Sequence, residues 1–247
     1  TIGAFTFSVA GTTTVGTGTS GTLSITSATG TKTFTGLVTV ATGGTWTNTT
    51  EAVTFQGGIT NNGTFTAGTG VHTFNTNSQA LTGTFTFTSV TVTGAAVVLT
   101  NTNSLTVNTA LSGTGRITQG AGATLNIGGA SAITNMTATA SGNTVNYTGA
   151  AQTVKDVNYA NLGLSGSGVK TLQVGTTAIT GDLTLSGTVT TTGVIGLSIG
   201  GTVDIGSGTT FTAGAFTHTV GGDWINNGTF TGTGSVINFN GAAQSLT

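Results

Sequence analysis

The strongest constraint on what this chain can fold into is that it repeats itself. Asn61-Asn62-Gly63-Thr64-Phe65-Thr66 returns as Asn226-Asn227-Gly228-Thr229-Phe230-Thr231. The register then persists: Phe74 meets Phe239, Gln79 meets Gln244 and Leu81 meets Leu246, at one offset of 165 (239 − 74). A shorter copy, Thr144 to Val154, parallels Val236 to Leu246 and sets Tyr147 on Phe239 and Gln152 on Gln244. A second module matches Gly30, Lys32 and Phe34 with Gly168, Lys170 and Leu172. Gly43-Gly44-Thr45-Trp46 echoes Gly221-Gly222-Asp223-Trp224, which predicts equivalent positions for the two tryptophans. Recurrence of this kind marks stacked units that share one continuous core. The expectation is a single elongated repeat domain over residues 1–247.

Within each copy the period is two. Phe5-Thr-Phe7, Leu23-Ser-Ile25, Phe85-Thr-Phe87, Val90-Thr-Val92, Leu183-Thr-Leu185 and Val203-Asp-Ile205 alternate apolar with polar. One side of each short strand then faces inward and Thr or Ser faces out. Turn signals such as Asn62-Gly63, Gly128-Gly129 and Gly200-Gly201 break the strands at short intervals. No stretch carries a 3.6-residue period with caps. The chain reads as all-β, and repetition selects a parallel β-helix (a β-solenoid) with coils of roughly twenty residues. A β-sandwich repeat array is the alternative.

The two ends of the sequence continue each other. After Gln79-Ala-Leu-Thr82 the chain runs on as Gly83-Thr-Phe85-Thr-Phe87, whereas Gln244-Ser-Leu-Thr247 is the last segment. Thr1-Ile-Gly3-Ala-Phe5-Thr-Phe7 resembles the piece that would follow. The expectation is a window of a longer array, or a subunit that stacks head to tail on itself.

Composition narrows the partners. Charged residues are 4% and the net charge is −1, with Lys32, Arg116, Lys155 and Lys170 scattered singly. A phosphate backbone needs clustered cations, so nucleic acid is not expected. No apolar run approaches the ~20 residues of a spanning helix, and no membrane span is expected. A 36% apolar content in alternating runs argues against disorder. The absence of Cys excludes a disulfide framework or a thiolate zinc site.

The runs N-N-G-T-F-T-G-T-G-x-V-x-F-N-G-x-x-Q, N-L-x-L-S-G-x-G-x-K-T-L and I-T-G-D-L-T-L-S-G-T resemble those of long repetitive bacterial surface proteins. These are similar in turn to the β-helical passengers of autotransporter and filamentous-haemagglutinin adhesins. The resemblance implies secretion, a β-helical architecture and a structural or adhesive role. It implies no catalytic residues and no cofactor.

Few residues could carry chemistry. His72 alternates with Phe74 and has Ile237 as its repeat equivalent, while His218 alternates with Phe216 and Val220. Both occupy inward positions with no acidic neighbour in sequence, so both are expected to be core residues. The carboxylates are Glu51, Asp156, Asp182, Asp204 and Asp223. Asp182 and Asp223 each sit between Gly and an apolar strand start, which predicts one shared place on different coils. Paired carboxylates about 5 to 9.5 Å apart can cleave glycosides, but Asp after Gly is commonly a turn residue. Trp46 and Trp224 are expected inside, as stacked rings rather than sugar platforms. The Asn-x-Ser/Thr triplets at Asn48, Asn62, Asn135, Asn146 and Asn227 follow from the composition. The expected function is a structural, non-enzymatic one: an extracellular filament, stalk or matrix fibre built by self-association. Two alternatives are an adhesin that binds cells or glycans, and a Thr-rich ice-binding solenoid. For the last, Thr64-Phe-Thr66, Thr91-Val-Thr93 and Thr229-Phe-Thr231 supply T-x-T steps that would have to recur at one fixed place on successive coils.

Overall fold

The computed structural model describes all residues, 1–247. It is all-β, with short parallel strands stacked into a β-solenoid of about 11 turns and no helix. The β-sandwich alternative is thereby set aside. The alternation of the sequence explains the strands directly. Val38-Thr-Val40 and Val53-Thr-Phe55 each bury their outer two residues and turn the central Thr away from the core. Two compact units are distinguished: Thr1–Leu125 with Ala132–Met136, and Asn126–Ser131 with Thr137–Thr247.

In the first unit each coil contributes three strands to three walls. One wall stacks Phe7–Val9, Lys32–Phe34, Val53–Phe55 and Val71–Asn75 in parallel register. A second stacks Thr13–Val15, Val38–Val40, Ile59–Asn61 and Gln79–Thr82. The third stacks Gly21–Ile25, Gly44–Asn48 and Thr64–Thr66. Because like positions meet on successive coils, the core is a set of columns. Phe34, Phe55 and Phe74 form one, with stacked ring centroids 5.8 and 5.5 Å apart. Trp46 joins it from the third wall, 5.1 Å from Phe34 and 5.8 Å from Phe55.

The second unit repeats the plan. Asn161–Leu164, Leu183–Leu185, Val203–Ile205 and Trp224–Asn226 stack along one wall. Ser167–Thr171, Thr188–Thr192, Thr210–Thr212 and Thr229–Thr231 form another. Ala178–Ile179, Ser198–Ile199, Thr217–Val220 and Val236–Phe239 form the third. Here Leu and Ile columns replace most of the rings.

Coil length is not uniform: residues in register on adjacent coils lie 25, 21 or 18 apart, as Phe7 and Lys32, Thr33 and Thr54, and Phe74 and Val92 do. This variation corrects two equivalences expected from the sequence. Trp46 pairs with Phe65, whose repeat copy is Phe230. Trp224 instead pairs with Val203 and bridges to Leu246, so it belongs to the wall that Ile59 occupies in the first unit. Lys32 and Lys170 likewise share a local motif on different walls, Lys32 opposite Phe7 and Lys170 opposite Thr191. A Gly-rich corner followed by an inward residue suits more than one corner of a coil, and similar short sequences therefore recur at different ones.

Candidate functional site

The polar side chains that could carry chemistry are tied to the backbone of their own or a neighbouring coil. His72 is fully buried. Its Nδ1 lies 3.2 Å from the Gly70 carbonyl, which can only accept, so Nδ1 carries the proton. Nε2 then accepts from the Asn48 amide at 3.4 Å. Burial pulls the His72 pKa down to about 4, against a smaller upward pull from the Gly70 carbonyl. The imidazole is therefore neutral at pH 7 and packed as a ring, its centroid 4.6 Å from that of Phe87. His218 is used in the opposite sense. Its Nε2 donates to the Ala213 carbonyl at 2.8 Å, and Nδ1 accepts the Leu197 amide at 3.1 Å. Both histidines occupy the inward positions read from the alternation, with His218 in register with Ile237.

Four of the five carboxylates are occupied too. Glu51 folds back on its own turn and accepts from the Thr49 and Thr50 amides at 2.7 and 3.0 Å and from the Thr49 hydroxyl at 2.9 Å. Burial raises the Glu51 pKa, but these hydrogen bonds together outweigh it and hold the carboxyl below its usual range. Asp156 accepts the Gly175 amide at 2.6 Å. Asp182 and Asp223 do share a place, as their Gly-Asp contexts predicted. Each accepts an amide from the next coil, Thr202 N for Asp182 and Ser245 N for Asp223, both at 2.8 Å. Asn161 does the same for Asp182 N at 2.9 Å. Thr202 stands on the coil between the two aspartates, which places them two coil spacings, or about 9.6 Å, apart. Asp204 lies on that middle coil, in register with Thr184 and Ile225. No three His, Asp or Glu side chains converge as a metal would require.

Two sets of buried polar groups escaped the sequence reading. Lys32 is 1% exposed and Lys170 0%, and neither meets a carboxylate. Lys32 Nζ donates to the carbonyls of Phe5, Thr29 and Gly30 at 2.9, 2.7 and 3.0 Å. Lys170 Nζ donates to the Gly149 and Ala150 carbonyls and to Gln152 Oε1, at 2.7, 2.6 and 2.7 Å. Three acceptors match the three protons of an ammonium. The left-handed Gly30 (φ 74°) and Gly168 (φ 69°) lie two residues before the two lysines. The signal was available in the alternation, since each Lys lies two residues from an inward Phe or Leu.

The repeated glutamines are the other set. The Gln152 amide donates to the Ile127 and Gly129 carbonyls of the coil below and accepts the Gly149 amide. Gln244 makes the same three bonds, to Val220, Gly222 and Gly241. Gln79 donates to Phe55 and accepts from Gly58. The recurrent Gln is thus a staple between coils. Gln244 is half-buried, so water can replace part of what its removal would lose. We expect Gln244→Ala to loosen this corner by about 1.4 kcal/mol, read as roughly ten-fold faster hydrogen exchange at the Gly241 amide.

An open polar groove of about 410 Å³ lies in the second unit. In it Gly163 stands in an outward column between Asn146 and Thr184, and the Asn146 side chain lies, through its Oδ1, where a Cβ at position 163 would be. Thr144, Thr148, Asn161 and Asp182 complete the rim, and no aromatic ring lines it. No helix of the chain is long and apolar enough to cross a membrane.

No protein-family model, no curated protein and no solved structure matches this chain.

Proposed function

We propose that this chain is a structural protein, a stretch of secreted β-solenoid that builds an extracellular filament, stalk or matrix fibre by stacking like coils end to end. The observation that carries this reading is the column: like residues meet in register on coil after coil, as Phe34, Phe55 and Phe74 do, and all three are wholly buried. A further coil of the same repeat continues these columns and the parallel backbone pairing around them. That coil serves equally well as part of the same polypeptide or of a second copy. Contacts of this head-to-tail kind do not close, and so they propagate. A net charge of −1 adds little repulsion against it.

The resemblance to bacterial surface repeats supports the extracellular setting. An adhesive role would use the groove over Gly163, which offers hydroxyls and amides to a glycan but no ring to stack on a sugar face. The structural reading is preferred for that reason. Sedimentation velocity and electron microscopy of the purified 247-residue chain test it. We expect fibres with a repeat of about 4.8 Å along their axis. A chain that sediments as a monomer at every concentration up to the millimolar range would overturn the reading.

A further inference from the structure

Each unit carries a two-column threonine array on one wall. In the first unit Thr22 and Ser24, Thr45 and Thr47, and Thr64 and Thr66 stand in register on three successive coils. In the second unit Thr190 and Thr192, Thr210 and Thr212, and Thr229 and Thr231 do the same. Between the columns run inward residues: Leu23, Trp46 and Phe65 in one unit, Thr191, Phe211 and Phe230 in the other. The T-x-T steps at Thr64 and Thr229 thus belong to arrays. The step at Thr91 does not, because it lies on another wall and its hydroxyl bonds to Ser112 at 3.1 Å.

We propose that these two faces bind ice, the hydroxyls taking the places of water oxygens at the crystal surface. Three observations support this occupant. First, the array repeats in two dimensions, about 4.8 Å from coil to coil and about 6.6 Å from Thr to Thr along a strand. Both repeats are on the scale of the oxygen spacings of an ice surface. Second, the hydroxyls of these threonines have no partner within the chain, unlike those of Thr35, Thr102 and Thr134, which bond to neighbouring coils. They are free to bond to ordered water. Third, the strands that build both arrays carry no charged residue, which matches an uncharged lattice and disfavours an anionic polymer. Each hydroxyl contributes weakly, and a rigid array sums many such contacts without ordering cost. The inference does not depend on fibre formation, since one molecule presents both arrays.

The test is incorporation of the fluorescently labelled chain into a slowly growing ice hemisphere, with thermal hysteresis and crystal shape read in parallel. The wild type should enter the ice and shape the crystals. The double variant Thr64→Lys/Thr210→Lys, which interrupts both arrays, should lose both effects. Thr73→Lys, on the wall of Val53–Phe55 and Val71–Asn75, should retain them. Circular dichroism checks that all three fold. Exclusion of the wild type from ice overturns the proposal, as does a double variant that still enters. Array-dependent dimerisation without ice entry would assign the faces to a second copy and overturn it equally.

Discussion

Phe55→Ala should destabilise the first unit by about 3–5 kcal/mol, the range for emptying a buried aromatic site. Phe55 is the centre of the ring column. Its centroid lies 5.8 Å from Phe34, 5.8 Å from Trp46, 5.5 Å from Phe74 and 6.1 Å from His72. Truncation removes the transfer energy of the ring together with its contacts on four neighbours. The space cannot readily collapse, because the rings are carried by coils whose spacing is set by backbone hydrogen bonds. Urea unfolding followed by Trp46 fluorescence, in a Trp224→Phe background, reads this unit. Phe5→Ala is the control: at 81% exposed it should change stability by less than about 0.5 kcal/mol. A cost below about 1 kcal/mol for Phe55→Ala would mean that the column is not packed in solution.

The second large effect is a pH dependence from His72. Its pKa of about 4 in the folded chain compares with 6.5 for a free imidazole. Between these values the unfolded chain binds a proton that the folded chain refuses, so stability falls as pH falls. The contribution is fully present above pH 6.5 and declines through the window down to about pH 4. It amounts to about 3 kcal/mol, from roughly 1.4 kcal/mol per pKa unit. Glu51 acts lower: its carboxyl is held below the usual 4.5, so its contribution is present above that value and lost beneath it. The two windows therefore separate. His72→Ile, the residue that the repeat itself places there as Ile237, should flatten the curve between pH 6.5 and 4.5 while leaving the loss at lower pH. Unfolding free energies at pH 7 and 4.5 for both proteins decide it. An unchanged slope in His72→Ile would place the titrating group elsewhere.

Much of this architecture was legible in the residues alone. Period-two alternation determines which side chain of a short strand faces in. It placed His72, His218, Phe74 and Val92 correctly; Lys32 was not among them, although Lys32-Thr-Phe34 carries the same alternation. Repetition over long offsets selected strands stacked in parallel coils, where like residues meet, over the β-sandwich array that the structure then set aside. Gly-Asp before a strand determined the shared place of Asp182 and Asp223, because a carboxylate at a strand start can reach the next coil's amide.

What only the tertiary structure decided was where each corner falls on the coil. Gly-Gly-x-Trp reads alike at both sites, yet Trp46 and Trp224 stand on different walls. A turn responds to four or five residues, whereas wall assignment depends on the summed lengths of all coils before it, and those lengths vary. The same sum decides whether T-x-T steps fall over one another, as Thr190, Thr210 and Thr229 do, or apart, as Thr91 does. The partners of the buried lysines were settled there as well. Their acceptors are backbone carbonyls, which every sequence possesses and none displays, and only the corner geometry turns three of them toward one ammonium.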